Sequence, residues 1–487
     1  MRQSITNIVP LLTILIAAFL VVLIPFKVIG YGFLPPDDAM RHAAKVISGK
    51  DWNRILVMRE GVTMDSHPGW HAILGAVRRV AGWDAHSLVL FSVISLFILF
   101  AAWPLFFVRY PESWLASLLI LGMAAPGFIW RLVLGRPYIF TMAVTAVLCL
   151  SWQKFKDRKF PFAACAGLTL LIAASTYIHC SWYMFALPLA ALLLAREWRA
   201  SAAFGICAGL GVMIGASLTG QPLIFLKQTL AHLFLAFGKN EAEYMLVSEF
   251  RPGFGDATIA IAVAFALVWC ALRGRWHKAL VDNPVFILGL LGFVLSLFTR
   301  RAWLDWGFPA TAAWMALVID DFFASKPEAG SPRRFILVTA LGFVLFVSVT
   351  ADVGGRWTAL KPVDQISADN PKQAQWLPEP GGIIYSNDMG IFYHIFFWNP
   401  HADWRYMLGF EPTLMPKEDL EIFRDIQRSP WTFKPFYGWI NKMRPQDRLI
   451  LRSSPASPPR IPDLEWNYAA LNTWIGRLPR TPAKSAK

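Results

Sequence analysis

The residues best suited to chemistry open the stretch Leu34-Pro35-Pro36-Asp37-Asp38-Ala39-Met40-Arg41-His42, directly after the first long apolar run. Two adjacent carboxylates can serve as a general base and its partner, because each raises the other's proton affinity. One can also cap the helix that the prolines announce, and the expected division is Asp38 as the cap near Ala39 and Asp37 as the base. Arg41 and His42 follow on the same helix and supply a cation and a second titratable group. Ala43, Val46 and Ile47 give that helix an apolar face, which predicts a segment lying on a bilayer surface.

Four arginines have the character of anion ligands. Arg131 and Arg136 flank the short stretch Leu132-Val133-Leu134-Gly135, and Arg300 and Arg301 precede Trp303, Asp305 and Trp306. A forked guanidinium matches phosphate oxygens, whereas interfacial anchoring with Trp as a belt is the structural alternative. His67 and His71 are four apart, but Pro68-Gly69 between them argues against a continuous helix that would present both to a metal. His179, after Tyr177, stands at a helix end where a structural hydrogen bond or a substrate contact is expected. Lys239, Glu241, Glu243, Tyr244 and Glu249 read as a solvated surface, with a mobile substrate loop as the alternative, and Asp320-Asp321 as a polar helix end.

The elements that carry these groups are membrane spans. The chain has 487 residues, of which 56% are hydrophobic and only 16% charged, far from the average soluble domain at about 25% charged. Eleven apolar runs are expected to cross the bilayer, near 8–30, 87–108, 113–129, 136–152, 160–178, 181–195, 202–219, 257–272, 283–299, 306–324 and 335–350. The first reads as a retained anchor, too long for the apolar core of a signal peptide. With the N-terminus inside, each inner loop is basic, from Arg109 through Lys154/Lys156/Arg158/Lys159 and Arg196/Arg199 to Arg273/Arg275/Lys278 and Lys326/Arg333/Arg334. The net charge of +14 therefore speaks for membrane orientation rather than nucleic acid.

The outer side then receives 31–86, 220–256 and 351–487. This divides the chain into a transmembrane domain, 1–350, and a C-terminal α/β domain, 351–487, outside the membrane. In the latter, Ile383-Ile384-Tyr385 reads as a strand and 416–428 as a helix behind a proline. No GxxxxGK[ST] or GxGxxG motif is present, so a nucleotide domain is not expected. The five cysteines form no CxxC pair and lie in or beside apolar runs, which speaks against disulfides or zinc organising the soluble parts.

With Pro36-Asp37-Asp38, Arg41-His42 and this layout, the chain resembles the GT-C superfamily of membrane glycosyltransferases. The resemblance implies a multi-pass enzyme of a bacterial cytoplasmic membrane with its active site facing the periplasm or exterior. It implies transfer of a sugar from a polyprenyl-phosphate carrier to a glycan, lipid or protein acceptor, with Asp37 or Asp38 as the catalytic carboxylate. Arg41, His42, Arg131, Arg136, His179, Arg300 and Arg301 are then the expected substrate ligands. Metal-dependent members carry a further acidic motif in the second external loop. Here Trp130-Arg131-Leu132-Val133-Leu134-Gly135-Arg136 has no acid, so no cofactor is expected and a divalent cation is not favoured. The rival readings are an O-antigen polymerase or ligase, a lipid-linked glycan flippase, and a non-catalytic scaffold. The early acidic pair speaks against the first, and the absence of clear internal repeats against the second.

Overall fold

The computed structural model describes residues 2–62, 65–155, 162–237, 249, 251–253, 256–274, 280–324, 332–360 and 365–479. Each of the eleven apolar runs holds a helix. Among the described residues, four helices are long and apolar enough to cross a membrane by themselves: Val9–Gly30, Ala85–Phe106, Trp198–Ser217 and Pro332–Thr350. Tyr138–Ser151, Phe162–Ile178, Trp182–Leu194, Ala257–Leu272 and Pro284–Ser296 are apolar but shorter. The run at 113–129 is not one straight span. It breaks by 114° between Pro111–Ala124 and Pro126–Leu132. Pro126 has no N–H to continue the ladder and forces Ala125 out of helical geometry, to φ −136° and ψ 80°.

Two helices form the centre. Tyr138–Ser151 is buried on nearly all sides, and so is the first half of Phe308–Ala324. A helix enclosed all round must be apolar all round, which is what their sequences supply. A π-helical turn, Trp303–Gly307, precedes the second of these and packs on Pro284–Ser296. A Cβ at Gly292 would fall on the Cα of Gly307, so the backbones meet where neither residue has a side chain.

The C-terminal part carries a five-stranded sheet in the order β2-β1-β3-β5-β4, with β1 Ile383–Tyr385, β2 Arg405–Tyr406, β3 Arg448–Arg452, β4 Glu465–Ala470 and β5 Thr473–Arg477. β1 runs parallel to β2 and β3, and β5 antiparallel to β3 and β4. The expected strand at 383–385 and the helix behind Pro416, Lys417–Arg428, are both present.

This sheet does not stand apart. Leu56 pairs in parallel with Tyr406 on the edge strand β2, and Val57 N–H donates to Tyr406 O at 2.9 Å. Trp52, Ile55 and Leu56 share one core with Ile391, Phe392, Tyr406 and Ile450. The helix Asp38–Ser48 lies between the two halves. Ala39, Met40 and Ala43 face the membrane-helix core, and Ala44 the C-terminal one. Its apolar face is thus covered by protein, not by lipid as its amphipathic pattern suggests.

Candidate active site

The helix that carries the acidic pair starts one residue earlier than the sequence indicates. Asp37 is the N-cap, its carboxylate accepting from the Asp38 N–H at 2.6 Å, and Asp38 is the first helical residue. The expected cap assignment is therefore reversed. Both carboxylate oxygens of Asp37 also accept from one Arg136 nitrogen, Nη2, at 2.5 and 2.6 Å. Asp38 instead accepts from Arg41 Nε at 2.6 Å, one turn along the same helix, and sees Arg136 Nε at 3.6 Å.

These pairings separate the two acids. Burial raises the proton affinity of Asp37, and Arg136 only partly offsets it. Burial pushes Asp38 the same way, but the Arg41 and Arg136 guanidiniums outweigh it and hold this carboxyl well below the usual range. The two guanidiniums thus favour the ionised form of Asp38.

Arg131 and Arg136 come from the short helix after the Pro126 break and from the turn that follows it. Both are bound to Glu249 Oε1, at 2.7 and 2.6 Å. Arg131 reaches Asp305 Oδ1 at 2.6 Å with its other nitrogen and stacks over Tyr138, 3.7 Å from the ring centre. The two guanidiniums hold the Glu249 carboxyl at about 2 against the opposing effect of burial. Glu249 is thus no solvated surface residue, and its side chain is only 15% exposed. Lys239, Glu241, Glu243 and Tyr244 lie outside the described residues.

The two later arginines part company. Arg301 donates to Asp305 Oδ2 at 3.1 Å, to His179 Nε2 at 2.6 Å and to Ser181 Oγ at 3.0 Å. Arg300 is exposed and joins none of these bonds; its stem lies against Gly253. Of the two arginines expected to act together, only Arg301 lines the cavity described below. Trp303 and Trp306 are buried, Trp306 against Phe185, and neither belongs to an interfacial belt.

A chain of imidazoles adjoins these ion pairs, and sequence reading missed it. His71 binds the Asp65 carboxylate through Nδ1 and His42 Nδ1 through Nε2, the latter at 2.8 Å. His42 meets the His67 ring edge-on at 4.9 Å, and His67 stacks on His179 at 5.6 Å. Pro68-Gly69 does not interrupt a helix between His67 and His71. It begins one, Pro68–Ala81, with His67 as its N-cap. Burial keeps His42 neutral and lowers His67 to about 3. Among the described residues, no group of three or more His, Cys, Asp or Glu side chains is arranged to hold a metal ion.

These groups border a cavity of about 270 Å³. Asp38, Arg41, Arg136, His179 and Arg301 line it, with Asp65, His67 and Glu249. Asp37, His42 and Arg131 stand behind this wall as partners of its residues. The C-terminal part closes the cavity with Tyr393, Phe410, Glu411 and Leu414. Phe410 packs on Arg41, whose guanidinium carbon lies 4.0 Å from the ring centre. Arg41 Nη1 and Arg136 Nε are buried without a hydrogen-bond acceptor. A cavity lined by three guanidiniums, those of Arg41, Arg136 and Arg301, is suited to an anion.

No protein-family model matches the chain, and no curated protein matches it. Two solved structures of an Archaeoglobus fulgidus oligosaccharyltransferase are similar to it. A complex with Zn and sulfate is 11% identical, with a TM-score of 0.45 over 91% of this chain and 68% of that one. A form tethered through a disulfide bond to an acceptor peptide containing the NVT sequon is 12% identical, with a TM-score of 0.44 over 84% of this chain and 64% of that one. The chain spans about two thirds of that protein's length.

Proposed function

We propose that this chain is a multi-pass glycosyltransferase that moves a sugar from a polyprenyl-phosphate carrier to an acceptor hydroxyl at the external face of the cytoplasmic membrane. The observation that carries the reading is the cavity itself, where an ionised carboxylate, Asp38, stands among Arg41, Arg136 and Arg301. In the reaction, the bond between the anomeric carbon and the phosphate oxygen breaks, and the phosphate leaves with the electron pair. The acceptor oxygen forms the new bond to that carbon, and its proton passes to Asp38. Arg41, Arg136 and Arg301 stabilise the charge that grows on the phosphate. Asp37 holds Arg136 and caps the helix that presents Asp38. The energy resides in the phosphoester bond of the donor, so no nucleotide is consumed outside the cell.

The test is a transfer assay with the purified full chain, a polyprenyl-phosphate sugar labelled in the sugar, and an envelope extract as the source of acceptors. Label is expected to leave the lipid with release of polyprenyl phosphate, and Asp38→Asn to abolish it. Donor left intact under all acceptor fractions, or consumed equally by Asp38→Asn, would end the reading.

A further inference from the structure

The reaction above leaves one buried carboxyl of the cavity unassigned. Glu411 belongs to the C-terminal part, is 8% exposed, and lines the same 270 Å³ space as Asp38 and Arg301. Both halves of the molecule fix its place. Phe410 before it packs on Arg41, and after it a single 3₁₀ turn, Pro412–Leu414, folds back, with Leu414 N–H donating to Glu411 O at 3.2 Å. Leu414 O in turn accepts from Arg59 N–H at 2.9 Å.

The charged groups facing Glu411 come from three directions. Arg301 lies ahead of the buried 308–324 helix, Asp38 and Arg41 are on the 38–48 helix, and Glu249 stands beside Arg136. An anion held between Arg41 and Arg301 would lie against the Glu411 side chain. A carboxylate there would repel it, whereas a carboxylic acid would donate a hydrogen bond to it.

We propose that Glu411 is a phosphate-contacting residue, which in its protonated form donates a hydrogen bond to a phosphate oxygen of the lipid carrier; this rests on the donor class proposed above. Burial supports it by pushing this carboxyl up to about 8, with Arg301 opposing less strongly. Proton and phosphate then favour each other's binding, because the proton removes the carboxylate's repulsion of the phosphate and the phosphate's charge raises the carboxyl's proton affinity. The C-terminal part thereby becomes a component of the donor site as well as its cover.

The experiment is equilibrium binding of a polyprenyl monophosphate to the purified full chain in detergent between pH 6.5 and 9, read by tryptophan fluorescence. Parallel arms use inorganic phosphate and the neutral polyprenol. Wild type should weaken by about eightfold from pH 7.5 to pH 9 as the competent, protonated fraction falls. Glu411→Gln keeps a neutral donor, so it should bind within about twofold of wild type at pH 7 and lose that slope. Glu411→Met, of similar volume but without a donor, should bind about tenfold more weakly at pH 7, also without the slope. The slope should appear with inorganic phosphate as well and be missing with polyprenol. A Glu411→Gln variant with the wild-type slope, or a wild type without one, overturns the assignment of Glu411 and leaves the donor class standing. A wild type that binds polyprenyl phosphate no better than polyprenol overturns both.

Discussion

At the scale of single residues, the acidic pair has one member in the cavity and one behind it. Asp38→Asn should lower turnover by about 10²–10⁴-fold with little change in thermal stability, since it removes the proposed proton acceptor from the cavity wall. Asp37→Asn should chiefly cost stability, about 1.5–3 kcal/mol, because it dissolves a charged hydrogen bond to Arg136. Turnover and unfolding of both purified variants check this, and a dead but stable Asp37→Asn would reverse the roles. The arginines give a second contrast. Arg301→Lys keeps the charge but loses the fork that spans Asp305, His179 and Ser181, so donor affinity should fall at least about tenfold. Arg300→Lys should stay within about twofold, as surface substitutions usually do. Equal effects in donor-binding titrations would refute the distinction. Because guanidiniums already engage Asp37 and Asp38, transfer should persist in chelator; activity lost with chelator and restored by manganese or magnesium would refute that.

Between residues and whole molecule stand the elements that aim these groups. Apolar run length and basic loops made the helices legible, because in a bilayer the backbone can be satisfied only inside a helix. The bend at Ala125–Pro126 was less so, since a hydrophobic run hides its own break, although Pro126 carried the signal. The partners of the arginines were not legible at all. Glu249 lies 118 residues from Arg131, and nothing local to it distinguishes it from a solvated glutamate. The imidazole chain was hidden likewise, because His42, His71 and His179 meet only after three separate segments fold together. The π-helical turn at Trp303–Gly307 shows what an element contributes. Asp305 in this turn pairs with Arg301 four residues before it, next to His179, and the touching glycines 292 and 307 let the turn press against the neighbouring helix. Gly292→Ala should therefore overpack this contact and destabilise by about 1–3 kcal/mol, with donor affinity falling as Arg301 shifts. Thermal unfolding and donor binding measured on one preparation check it. A variant as stable as wild type would show that the backbones can part without cost.

For the molecule as a whole, the polar contacts separate to two ends of the helical bundle. Asp37, Arg131, Arg136, Arg301 and the C-terminal part gather at one end. At the other, Arg334 pairs with the buried Glu112, and Asp320 caps the neighbouring helix through the Tyr110 N–H at 2.9 Å. The 308–324 helix links the two, beginning beside Asp305 and ending at Asp320. This matches the loop charges in kind. The chain segments at the Asp320 end are rich in Lys and Arg, which predicts a cytoplasmic side for them, and 31–86 and 351–487 are expected at the cavity end. If the cavity end faces outward, as proposed, a lipid-linked donor would bring its own energy to a compartment without nucleotide. The topology expected is an inner N-terminus, eleven crossings and an outer C-terminal part. Alkaline phosphatase fused after residue 479 should be active, and a fluorescent protein fused there should stay dark, while fusions in the loop at Arg196 should give the opposite pair. A glowing C-terminal fusion with silent phosphatase would invert the orientation and place the Asp38 cavity on the cytoplasmic face, where a nucleotide-linked donor would compete with the lipid-linked one.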